Sequence, residues 1–136
     1  MRWLLLLSLL AVNCSGEPAR DEAPLRVALA ERMKPAPDGA MGRNRSGYFH
    51  ARFQMGGHHL ARLAVEAGNA DALEGFLRSL EYAFAHQTPE GGFEVVIPEG
   101  LEGRPSPTDL ASGTAFFLSS AGDGLRRLER SEPLPI

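Results

Sequence analysis

The chain has 136 residues and a formal net charge of −3, with 43% apolar and 23% charged residues. That length holds one modest core, and the balance of residue types excludes wholesale disorder. The mild acidity excludes a nucleic-acid surface, which needs clustered basic charge.

The N-terminus reads as an export leader. Met1-Arg2 is a minimal positive start, and the apolar run Trp3 to Val12 is broken only by Ser8. The run is too short for a hydrocarbon core of roughly 30 Å, but it suits a signal-peptide core. Cys14-Ser15-Gly16-Glu17-Pro18 then breaks the pattern, and with Cys14 as the single cysteine no internal disulfide can form. Ala11-Val12-Asn13-Cys14 resembles the lipobox of bacterial lipoproteins. That resemblance implies lipidation at Cys14 and a membrane partner reached through an N-terminal lipid anchor. Soluble secretion, with cleavage before Glu17, is the competing expectation. Either way the product is exported, to the cell envelope or beyond it.

Residues 1–16 are therefore set apart as leader, 17–37 as tether and first helix, 38–130 as a helical-hairpin domain and 131–136 as a tail. Pro24 can open the first helix, Leu25, Ala28, Leu29 and Met33 share one face, and Pro35 to Gly39 ends it. A loop over 38–47 precedes a second helix expected from Tyr48 to Ala67, on which Phe49, Phe53, Gly56, Leu60, Leu63 and Ala64 form a stripe. The third helix starts at Asp71, with Glu74 at capping-box spacing, and carries Leu73, Phe76, Leu77, Leu80 and Phe84 on its apolar face until about Gln87. Phe93 to Ile97 is a short β-prone run. Ser106, Pro107 and Asp109 are strong start signals for a fourth helix. Its apolar face would hold Leu110, Thr114, Phe117, Leu118 and Ala121, with a stop at Gly122 and a short final helix over 123–130. The fold class expected is all-α, built of antiparallel hairpins.

His86-Gln87-Thr88-Pro89-Glu90-Gly91-Gly92-Phe93, then Thr108-Asp109-Leu110-Ala111-Ser112-Gly113-Thr114-Ala115-Phe116-Phe117-Leu118, resembles one repeat of an α/α-toroid. Such repeats occur in terpene cyclases, prenyltransferase subunits, and bacterial glycosidases and polysaccharide lyases. The resemblance implies a partial toroid-like array of four to five helices. Complete toroids have many more, so the chain is expected to be a short or truncated member with no demonstrable activity alone. Neighbouring repeats bury each other's faces, which leaves such an array open to self-association.

The same resemblance places a cavity at the N-terminal ends of the inner helices. Tyr48, His50, Arg45 and Asp109 would then be catalytic candidates, abstracting a proton beside a uronic carboxylate while Arg45 neutralises it. Glu90, Phe93 and Glu94 would be candidates for binding carbohydrate. Asp109 is also explained as a helix-start residue, Glu90 as a turn residue and Phe93 as core. No metal and no cofactor is expected: His50 and His58, eight positions apart on the expected helix, would stand about 12 Å apart along its axis. A terpene-type reaction lacks its Asp-rich motifs. Two functional expectations follow from different classes: a carbohydrate-active lyase or hydrolase, and a non-catalytic glycan- or protein-binding module.

Overall fold

A computed structural model describes residues 23–131; the leader, Cys14 and the tail beyond Ser131 lie outside the described residues. The fold is all-α. Four helices pack together: α1 (Ala23–Met33), α2 (Gly57–Ala67), α3 (Ala70–Phe84) and α4 (Pro107–Arg130). Two short 3-10 turns, Gly42–Ser46 and Ala51–Gln54, lie between α1 and α2. None of the described helices is long and apolar enough to cross a membrane.

α2 is the central helix and packs against α1, α3 and α4. One part of the core gathers Met41, Leu60, Ala61, Ala64, Ala72 and Phe76. The other gathers Ala51, Ala83, Phe117 and Ala121, with Leu80 and Phe93 against them. The small residues decide the spacing. A Cβ at Gly124 of α4 would lie 2.6 Å from the Phe76 ring of α3, so that ring fills the space a side chain would need. Phe84 of α3 meets Phe117 of α4 edge-on at 5.8 Å. The pairings 76 with 124 and 84 with 117 make α3 and α4 antiparallel.

The second helix is shorter than its sequence pattern suggests. It starts at Gly57, not Tyr48. Phe49 instead forms an antiparallel bridge with Val96, and residues 51–54 make a 3-10 turn. The cause lies in the polar side chains. His50 Nδ1 accepts the Arg52 amide at 3.1 Å, which starts the turn. Gln54 swings into the core, so the turn cannot run on into α2 in register with the apolar stripe.

Two other boundaries differ. The side chain of Asn69, not Asp71, caps α3 by accepting the Ala72 amide at 2.9 Å, and Glu74 pairs with Arg78 instead. α4 continues through Gly122 to Arg130 because its later turns pack too, with Gly124 against Phe76 and Ala61. Its start is as the sequence indicates: Ser106 and Asp109 form a complete capping box with Pro107 in the first turn. Gly39 shows why its turn needs glycine. Its φ is +96°, and a Cβ there would lie 2.2 Å from the Arg78 carbonyl oxygen.

Candidate functional site

The segment between α1 and α2 is held by a buried polar node. Gln54 is 1% exposed, and its amide nitrogen donates to the carbonyls of Gly39 at 3.1 Å and Ser79 at 2.9 Å. Its oxygen accepts from the Met41 amide at 2.6 Å and from Asn44 at 3.1 Å. Asn44 also donates to the His50 carbonyl and accepts the His50 amide. Both side-chain amides are thus satisfied within the protein. A network so completed fixes a conformation.

His50 stands at the edge of this node, 5% exposed, against Gly113 of α4. Burial pushes its imidazole below the ordinary range, Arg52 lowers it further, and Asp109 acts in the opposite direction. Because Nδ1 accepts from the Arg52 amide, the neutral ring carries its proton on Nε2. Asp109 is fully exposed and held below the usual carboxylate range, chiefly by the Ser106 hydroxyl at 2.7 Å and then by the Ser106 amide. His50, Arg52 and Asp109 therefore share one corner where α4 begins.

The other sequence-derived candidates are placed elsewhere. Arg45 donates to the Lys34 carbonyl after α1. Tyr48 is buried, edge-on to Phe53, with the Arg43 guanidinium 5.1 Å above its ring. Glu90 and Glu94 are exposed in the turn after α3, where Thr88 accepts the Gly91 amide and the Glu94 amide bonds His86. Phe93 packs edge-on to Phe117 at 5.3 Å, in an aromatic cluster with Phe84. Arg45, Tyr48, His50 and Asp109 are each engaged in holding the chain; His50 lies near Asp109, and Tyr48 and His50 flank the same Phe53 ring.

A second cluster escaped the sequence reading. Ser120 of α4 bonds the Met55 carbonyl, and its Oγ lies 2.7 Å from His58 Nδ1. Asp123 is one turn along α4 and pairs with Arg127 at 3.0 Å. Serine, histidine and aspartate side by side suggest a nucleophile, but the hydrogen positions argue otherwise. His58 Nδ1 is also 2.9 Å from the Met55 carbonyl, which can only accept, so Nδ1 carries the proton. A general base for Ser120 would need a bare nitrogen there. The cluster is a clasp between α4 and the start of α2.

An open cavity of about 280 Å³ lies between the end of α1, α2 and α3. Lys34 and Arg78 line it together with Glu31, Asp71 and Glu74, so no single charge sign is favoured. Arg78 Nε is buried without a hydrogen-bond partner, while its guanidinium pairs with Glu74 through NH1. Among the described residues no group of three His, Cys, Asp or Glu could hold a metal ion.

A further unassigned feature is apolar. Gly75 and Ser79 on one flank of α3, and Ser120 and Gly124 on one flank of α4, lie against α2 or the residues just before it. The opposite flanks, turned away from α2, carry Leu77 (43% exposed) and Phe84 (43%) on α3, and Leu118 (45%) and Leu125 (47%) on α4. Leu73, Leu80 and Ala121 beside them pack into the core. α4 has no charged residue from Leu110 to Gly122 on any side.

No family model matches the chain, and no curated protein or solved structure matches it.

Proposed function

We propose that this chain is an exported helical module that works by association through the outer face of α3 and α4, and not by catalysis of its own. The observation that carries the reading is the exposed row of Leu77, Phe84, Leu118 and Leu125 on adjoining helices. The middle of α4, from Leu110 to Gly122, carries no charge on any side, as expected of a stretch that a neighbour covers. Large apolar side chains left exposed together favour an interaction site. The α/α-toroid resemblance supports the same reading, because a helix of such an array is normally covered by the next repeat. Of the side chains behind the carbohydrate-processing alternative, all but Glu90 and Glu94 are engaged in packing, capping or holding backbone, so the association reading takes precedence.

Crosslinking and mass spectrometry on the native chain in its envelope fraction test this. Intermolecular links are expected around residues 77–84 and 118–125, and Leu118→Glu should abolish them. Links confined to other surfaces contradict the reading. So does turnover of a uronic-acid polymer by the purified chain that disappears with Tyr48→Phe.

A further inference from the structure

Positive charge is concentrated at the C-terminal end of α4. Arg126, Arg127 and Arg130 line an open hollow of about 350 Å³, together with Asp123, Ser131 and Val65 of α2. We propose that this hollow is a binding site for a phosphate group, held chiefly by Arg126 and Arg130.

The sequence of α4 puts the arginines there. At about 100° per residue, Asp123, Arg126, Arg127 and Arg130 fall within one sector of the helix, about 100° wide. Gly124 and Leu128 fall on the opposite side, where Gly124 lies against Phe76 and Leu128 packs on the core around it. Burying that side obliges the three arginines to stand outward, and all three are exposed. Glu129 falls outside the sector and does not line the hollow.

The carboxylate in the hollow is already taken up. Arg127 Nε donates to Asp123 at 3.0 Å. The Asp123 carboxyl is held below the ordinary range chiefly by that bond, with Arg126 among the charges that add to it. On α2, Glu66 beside Val65 is bonded by Arg62 at 2.7 Å. Arg126 and Arg130 make no hydrogen bond or ion pair among the described residues. The helix dipole favours cations at this end of α4, which accounts for basic residues but leaves their donors without acceptors. Each guanidinium is a planar fork that takes two oxygens at once, the geometry of phosphate recognition. Arg126 and Arg130 are one turn apart on the same face, with Cβ atoms about 5–6 Å from each other. A carboxylate has oxygens for one fork only, whereas a phosphate has oxygens for both. The hollow also has the volume of a small-ligand pocket, so it admits the group that carries the phosphate.

NMR titration of the full chain with inorganic phosphate, against chloride at matched ionic strength, is the test. The Nε–H signals of Arg126 and Arg130 are expected to move saturably, with a Kd on the order of 1 mM at low salt that weakens as salt rises. The double variant Arg126→Gln/Arg130→Gln should weaken that binding about tenfold with circular dichroism unchanged. Arg104→Gln, at an exposed arginine outside the hollow, should leave it as it is. Signals that move no more in phosphate than in chloride overturn the site, and so does an equal loss in the Arg104 variant. Sedimentation with vesicles of phosphatidylglycerol or of phosphatidylcholine then identifies what carries the phosphate. A preference for phosphatidylglycerol that the double variant loses assigns a lipid headgroup. Equal binding to both vesicles, with the phosphate titration positive, assigns a soluble phosphate compound.

Discussion

Gly113 of α4 lies directly on the imidazole of His50: a Cβ at Gly113 would be 2.3 Å from His50 Cε1. Helix α4 can approach the 3-10 turn at 51–54 only because that position lacks a side chain. The turn is in turn held by His50 Nδ1 and the Gln54 node. The start of α4 and the segment before α2 are therefore one structural unit.

Gly113→Ala is expected to destabilise the fold by about 1–3 kcal/mol through overpacking, although alanine favours a helix by about 1 kcal/mol. Gly122 is the control. A Cβ there meets nothing within 4 Å, so Gly122→Ala should stabilise by about 0.5–1 kcal/mol. Urea denaturation of both variants and the wild type, at one low protein concentration, gives the comparison. Equal effects would mean that the contact with His50 has no energetic weight.

Gln54→Leu should cost about 2–4 kcal/mol, because it strips partners from the buried Met41 amide and the carbonyls of Gly39 and Ser79 together. Thermal unfolding would show it as a lowered midpoint with two-state behaviour retained. A loss no larger than that of an ordinary surface substitution would contradict the role assigned to the node.

Protonating His50 works against the fold. Its folded pKa lies below the ordinary 6.5, so the unfolded chain binds the proton more readily and stability falls as pH drops from about 7 through 6.5 and below. His59, lowered chiefly by burial and then by His58 and Arg62, adds to the same slope. Asp109 acts in a lower window: its depressed pKa gives stability that is present above 3.8 and lost as pH falls through the folded value. His50→Asn keeps an acceptor for the Arg52 amide and removes one titration. Denaturation midpoints between pH 7 and 5 should therefore vary less in that variant, and an unchanged slope would remove His50 from the explanation.

The fold class was legible in the sequence, and so was the start of α4, because Ser106, Pro107 and Asp109 act locally through the first turn. α3 was legible for the same reason: its stripe is strong and its neighbours agree with it. The early end of the helical pattern before Gly57 was not legible, because it depends on Gln54 reaching residues up to 25 positions away in the chain. Helical periodicity places Gln54 on a polar face and carries no trace of those bonds. Leu77 and Leu118 were assigned to core faces for a related reason: an amphipathic stripe marks what is apolar, not which part of it the rest of the chain covers. The uncharged run from Leu110 to Gly122 was the available signal that α4 is apolar on more sides than this fold buries. As for the site candidates, His50 lies near Asp109, whereas Arg45 bonds the Lys34 carbonyl and Tyr48 lies beneath Arg43, and none of these placements could be read from helical periodicity.

The most direct measurement is hydrogen exchange on the full chain at low and at high protein concentration. If the outer face of α3 and α4 is the working surface, amides over 73–84 and 110–125 gain protection at high concentration while those of 57–67 do not. Protection that is independent of concentration, or that changes equally in all helices, would contradict the assignment of this face as the site of association.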